Sequence, residues 1–381
     1  MNEMEELRAA RPAHLDAPVD AATRARELNH AFAQPRQPRR KTSPLRNARP
    51  MWGLGLAGAA TAAAVAIAGL PGGTPSPPVA PAAASPSAAV VLDARTVLLS
   101  AASQAEAQQE KTADWWTSET VQRHMSRVQG DPSYAVYEIS KSKAWTPYAP
   151  GGEQGGSSQR LGFEFPTPED EAAWRQAGSP SKVAVAAPKP AAVGAPGRAS
   201  YEITREPGKE STESNRLVDG DKVFWLGENV TMQDLLSLPD DPKRLKAWLL
   251  RSYKGHDTES SSVPMTSDAW LYRVATGLIA DMPVTPKVRG AAFRMLADLK
   301  TVQVVANVTD FDGRSGTAVT MKEKANGAVL LNRLLFDQAT GRALQTDGVV
   351  VEPGGYQKDL PAGTIWNSVT ITSSGWADER P

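Results

Sequence analysis

Side chains able to do chemistry are few in this chain, and they are scattered. His124 and His256 are the only histidines after residue 50. They lie far apart with no HExxH spacing, so no zinc-protease signature is present. There is no cysteine, which removes disulfides, thiol nucleophiles and thiolate metal sites. Ser140-Lys-Ser-Lys143 and Ser179-Pro-Ser-Lys182 fit the SxxK pattern in which a lysine activates a serine. Neither opens a helix, and the Lys-Thr-Gly and Ser-x-Asn partner motifs are missing, so both read as chance matches. Asp310 and Asp312 begin like a calcium loop, but Gly313 comes too early and position twelve is Met321; a hairpin turn is the better account. Glu169 with Asp170, and Asp240 with Asp241, sit where helix first turns begin, and capping explains them. No GxSxG, P-loop or GxGxxG occurs. The expectation is therefore a protein that is not an enzyme, with no catalytic residue, metal or cofactor to assign. The candidates for ligand binding are Trp115 and Trp116. On a strand their rings face opposite sides, so one belongs to a core and the other is free to line a groove.

The elements that would position these residues read as α+β. Asp93 caps a helix over ARTVLLSAASQAEAQQE, with Val97, Leu98, Ala101 and Ala105 on one face. Strand-like runs follow in TADWWTSETVQRHM, SYAVYEISKSKAW and SSQRLGFEF, separated by Gly130-Asp131-Pro132 and by the loop-like GGEQGG. Thr167-Pro168-Glu169-Asp170 starts a short helix packed by Trp174 and ended by Gly178. Residues 179–199, rich in Ala, Pro and Gly, read as a loop or internal linker. Strands are expected at Tyr201–Thr204 and Lys222–Leu226. Three helices follow, opening at Pro239-Asp240-Asp241-Pro242, at SDAWLYRVATGLIA and at TPKVRGAAFRMLADL. The end of the chain reads as an antiparallel meander: Val302–Thr309, Thr317–Lys322, Ala328–Phe336, Arg342–Val351 and Trp366–Thr372.

Ahead of all this lies Met51–Leu70, twenty residues without a charge, including eight alanines and four glycines. As a helix it is roughly 30 Å long, the thickness of a bilayer's hydrocarbon core. Residues 1–50 hold ten Lys and Arg against six acids, whereas no charge follows the run before Asp93. That asymmetry puts the tail in the cytoplasm and residues 93–381 outside, with residues 51–70 spanning the plasma membrane as a single pass. The alternative is a secretory signal cleaved near Ala82-Ala83-Ala84; the fifty residues before the run argue against it. Residues 71–92 carry six prolines in their first eighteen positions and form an extended stalk. A helix from Asp20 through ATRARELNHAFAQ suits either a docking tail or a purely orienting one. The part beyond the anchor is mildly acidic, which gives no footprint for nucleic acid.

Several stretches belong together as a set: FPTPEDEAAWRQAGSP, LPDDPKRLKAWLLRSY, MPVTPKVRGAAFRMLADL, VTDFDGRSGTAVTM, RLLFDQATGRALQ and GWADERP. With the arginine-rich tail, single span and proline stalk, the chain resembles a family of uncharacterised single-pass membrane proteins from high-GC Gram-positive bacteria. The resemblance implies the anchored layout and a sigma-factor-related partner for residues 1–50. It brings no activity and no ligand. The order of helix, antiparallel sheet and packed helices is also similar to the half-barrel of lipoprotein carriers and periplasmic anti-sigma partners. The expectation is an anchored extracytoplasmic binding or sensing domain. The alternatives are a carrier of apolar ligands in a concave sheet and a cell-wall enzyme with an unrecognised site.

Overall fold

The computed structural model describes residues 91–186, 200–258, 263–325 and 327–381. The tail 1–50, the span 51–70, almost all of the stalk and most of the 179–199 segment lie outside the described residues. Among the described residues no helix is long and apolar enough to cross a membrane.

A mixed α+β fold is observed, built on one antiparallel sheet. The chain enters as β1 (Val91–Leu92) and α1 (Ala94–Glu106). The Asp93 carboxylate accepts the Thr96 N–H at 2.9 Å, the expected cap, and Val97, Leu98, Ala101 and Ala105 are buried with Ala102. Three long strands follow: β2 (Trp115–Val128), β3 (Tyr134–Pro147) and β4 (Glu153–Glu164). Next come α2 (Pro168–Gln176), β5 (Lys182–Ala186), β6 (Ser200–Thr204), β7 (Ser211–Arg216), β8 (Lys222–Trp225) and β9 (Glu228–Thr231). The helical middle is α3 (Met232–Leu236), α4 (Pro242–Leu249), α5 (Ser267–Ala280) and α6 (Pro286–Ala297). The closing meander is β10 (Val302–Thr309), β11 (Ser315–Ala325), β12 (Ala328–Phe336), β13 (Ala343–Glu352) and β14 (Ile365–Ala377).

The sheet runs β1-β10-β11-β12-β13-β14-β2-β3-β4-β7, with β5 joined to β2 and β6. The meander and the early strands thus become one sheet where β14 pairs with β2, Trp376 opposite Trp116 and Ser368 opposite Arg123. β8 and β9 make a separate hairpin.

Two sequence expectations are corrected. GGEQGG is not wholly a loop, because Glu153–Gly156 already pair with β7 and Gly155–Gly156 with β3. The glycines permit that approach: a Cβ on Gly155 would stand 2.4 Å from the Glu213 carbonyl oxygen, and one on Gly156 2.6 Å from that of Lys143. Residues 179–199 are not all loop either. Val183 and Val185 form β5 against β6 and are buried with Trp174, Phe163 and Ile203. Their brief alternation was the signal.

Partnered residues across strands share a face. Val304, Val319 and Leu334 are partners in register and carry the main core, against α1, α5 and α6. One residue along, the other face reads Thr320, Arg333, Asp347, Ser368, Arg123 and Ile139 across six strands. That face is covered too. Phe311, in the β10–β11 turn, lies with its ring 6.3 Å from the Tyr137 ring of β3 and 4.2 Å from the Arg123 guanidinium of β2. Five strands separate β10 from β3 in the sheet order, roughly 29 Å if the sheet were flat. The sheet therefore curls until the turn reaches across its own inner face.

Candidate functional site

A cleft of about 220 Å³ opens where the helical layer meets the ends of β13 and β14. Its walls come from segments remote in sequence: the end of α1, the end of α5, Arg289 of α6, the β12–β13 turn and the stretch of β14 around Ser373. The sheet register shifts between Ile371 and Ser373, so a bulge turns this part of β14 toward the cleft.

Each wall is held in place. The β12–β13 turn is clasped by Asp337, whose two carboxylate oxygens accept the Ala339 N–H at 2.9 Å and the Thr340 hydroxyl at 2.7 Å. Gly341 brings this turn against α1. Its φ is +68°, and a Cβ there would stand 2.8 Å from the Ala101 carbonyl oxygen. Gln108 ties the two further by donating to the Thr340 carbonyl at 3.2 Å. Arg289 is held in a fork by Glu110 and donates to the Val284 carbonyl at 3.0 Å. Arg314 donates to Asp310 at 2.6 Å and, through its two ends, to the carbonyls of Ile371 and Leu344 at 3.0 Å each. The Asp310 side chain is fully enclosed. The DFDG segment is the hairpin turn that its sequence suggested and clasps the cleft's floor: one Asp310 oxygen accepts the N–H groups of Asp312 and Arg314.

The acids in the lining are thus already occupied, Glu110 by Arg289 and Asp337 by its own turn. Arg342 differs. Its Nε reaches Gln108 Oε1 only at 3.4 Å, and it has no carboxylate within ion-pair distance among the described residues. The lining as a whole carries three arginines against two carboxylates. The C-terminal end of α5, at Ile279 and Ala280, opposes this with a negative helix end. Such ends contribute about 0.3–1 kcal/mol, less than a hydrogen bond to a full charge at about 1.5–3 kcal/mol.

The structure separates the two tryptophan candidates. Trp116 is 2 % exposed, donates from its indole to the Asp281 carbonyl at 2.6 Å, and meets Trp376 edge-on at 5.4 Å. Its ring backs Arg289, whose Cζ lies 5.6 Å from the ring centre, so it supports a cleft wall without lining the cleft. Trp115 is half-buried on the opposite face of β2. Ser140 and Lys143 lie on β3, where an odd separation points them to opposite faces; Ser179 precedes β5, and neither SxxK serine lines the cleft. Asp241 and Thr167 cap α4 and α2, while Asp170 also accepts the Ala135 N–H at 2.7 Å. His124 packs edge-on against Trp366 and His256 bonds to the Asp257 carbonyl, both outside the cleft. Among the described residues no three His, Asp or Glu converge as a metal site.

Sequence reasoning missed the residues that do converge: Glu110, Arg289, Arg314, Arg342 and Ser373. They lie on five separate segments, and no local spacing could have joined them.

The second polar feature is the inner face of the sheet. Arg333 and Asp347 form a two-pronged pair at 2.6 and 2.8 Å, and Gln345 donates to Asp347 at 2.8 Å. Gln345 in turn accepts from Thr370 at 2.9 Å and from the Phe311 N–H at 3.2 Å. Burial works against the Arg333 charge, but the charge and hydrogen bonds of Asp347 outweigh it and leave the guanidinium above its usual value. Nearby, burial first and the Asp347 charge second push the Tyr272 phenol well up. Its hydroxyl donates within reach of two carbonyls, Val319 at 2.9 Å and Asn332 at 3.0 Å.

Compared with protein-family models, curated proteins and solved structures, the chain matches none of them.

Proposed function

We propose that the chain is a single-pass membrane protein whose outer part, residues 93–381, is a non-enzymatic binding or sensing domain. Residues 51–70 are its anchor in the plasma membrane, and residues 1–50 lie in the cytoplasm within reach of a sigma-factor-related partner. The order of the sequence supports this: a basic tail, twenty uncharged residues, a proline-rich run, and then the folded unit that begins at Val91. The observation that carries the binding role is the cleft, where polar groups from five segments converge on one small volume. Its serines, Ser373 and Ser374, have no histidine or lysine beside them in the lining, which favours binding over acyl transfer.

The curled sheet under a helical layer favours the half-barrel reading of the fold. An apolar cargo would need one face of that sheet to itself. Here α1, α5 and α6 pack one face, and Arg333, Asp347 and Phe311 occupy the other. A polar ligand suits this molecule better.

The absence of cysteine makes the topology easy to test. Ser211, exposed on β7, and Ser43, in the tail, are each replaced by cysteine in the full chain, and intact cells are treated with a membrane-impermeant maleimide. Ser211→Cys is expected to label at once, and Ser43→Cys only after permeabilisation. Labelling in the reverse order, or a mature chain that starts near Ala84 and is free in the medium, overturns the anchored reading.

A further inference from the structure

We infer that the cleft is a receptor for a small oxyanion, a carboxylate or phosphate group, with Arg342 as its charge partner. The inference rests on the binding-domain reading and names the chemistry of its ligand.

Among the side chains of the cleft, the groups left over are donors. Glu110 is spent on Arg289, and Asp337 on the Ala339 N–H and the Thr340 hydroxyl. Arg314 is spent on Asp310 and two carbonyls. Subtracting these pairs leaves the two terminal nitrogens of Arg342, which make no hydrogen bond among the described residues, and the exposed Ser373 hydroxyl. An arginine fork and a hydroxyl together match the lone pairs of a carboxylate or phosphate; a cation would find no unspent carboxylate oxygen.

The position of Arg342 is prepared in advance. Its carbonyl accepts the Asp337 N–H at 2.9 Å, its own N–H reaches the Thr340 hydroxyl at 3.3 Å, and the preceding Gly341 is wedged against α1. The turn thus fixes the backbone that presents the exposed Arg342 side chain, and only the side chain is left to be ordered on binding. Volume narrows the ligand. At about 220 Å³ the cleft lies below the usual range for drug-sized ligands. That suits a small organic acid or a phosphate group better than a long acyl chain.

The test uses the full chain in detergent, with inorganic phosphate and acetate as separate probes and chloride at matched ionic strength as the control. Thermal unfolding is followed by tryptophan fluorescence. A saturable rise in midpoint is expected with at least one probe and not with chloride. The probe that gives it identifies which oxyanion the cleft prefers. Arg342→Gln is expected to weaken the fitted affinity at least tenfold, Arg342→Lys to retain part of it, and Ser373→Ala to weaken it a few-fold. Arg251→Gln, in the turn that follows α4 and outside the cleft's lining, leaves it unchanged. Equal shifts with chloride overturn the inference. So does an Arg342→Gln protein that melts lower yet responds to the probes as before, because Arg342 would then be structural only. Maleimide labelling fails or succeeds independently of this result, so loss of the oxyanion site and loss of the anchored topology remain distinguishable.

Discussion

On one face of β11 and β12, Val319, Met321, Leu334 and Phe336 meet the helices. On the other face, one residue along each strand, Thr320 lies opposite Arg333, and Arg333 pairs with Asp347. Both faces are buried, yet by opposite means. The helical face removes apolar area from water, a contribution that scales with area and tolerates imperfect fit. The polar patch of the inner face stabilises little by itself, because desolvating an ion pair consumes most of its Coulomb gain. What it supplies is geometry: only one register of β12, β13 and β14 sets Arg333 against Asp347 and Thr370 against Gln345. One face holds the fold together, and the other fixes how its strands align.

The largest expected effect comes from breaking the polar face on one side only. Asp347→Ala leaves the Arg333 guanidinium buried without its partner and is expected to cost about 3–5 kcal/mol in urea unfolding. Replacing both, Arg333→Met with Asp347→Leu, is expected to recover most of that loss. A double variant as unstable as the single one would erase the distinction between the faces.

On the helical face Leu278→Ala removes a fully buried side chain of α5 and is expected to cost about 3 kcal/mol in the same measurement. Gly341→Ala tests the junction between helices and strands. It combines a positive φ with backbone contact to α1, so about 2 kcal/mol is expected, together with loss of the oxyanion response.

The smallest effect belongs to Tyr272, which reaches from the helical face to the strand carbonyls. Tyr272→Phe is expected to cost about 1 kcal/mol at pH 8. Burial raises this phenol's pKa, so the folded chain keeps the proton that the unfolded chain releases above about pH 10. Its stabilisation is therefore complete below that pH and fades as pH rises. The advantage of the native protein over Tyr272→Phe should vanish by about pH 11. A constant difference between pH 8 and pH 11 would mean that the phenol is not shielded.

Legibility followed how local the controlling force was. The caps of α1, α2, α4 and α6 could be read because each is a side-chain oxygen three residues from the N–H it accepts. The meander could be read because short turns, residues 310–316 and 337–341, separate its runs. β7 could not: Ser-Thr-Glu-Ser-Asn-Arg is almost wholly exposed and is held by its ladder with β4, so its side chains carry no periodic signal. The same reason hid β9, whose four residues are exposed or half-buried.

The sequence by itself determined the α+β class, most helix starts, the closing meander and the turn role of Asp310, because these depend on neighbours within a few residues. Tertiary structure alone decided that β14 pairs with β2, that the sheet curls until Phe311 meets Tyr137, and that Arg289, Arg314 and Arg342 surround one cleft. Those outcomes depend on which distant surfaces bury each other best. That free energy belongs to the assembled chain, and no short window of sequence contains it.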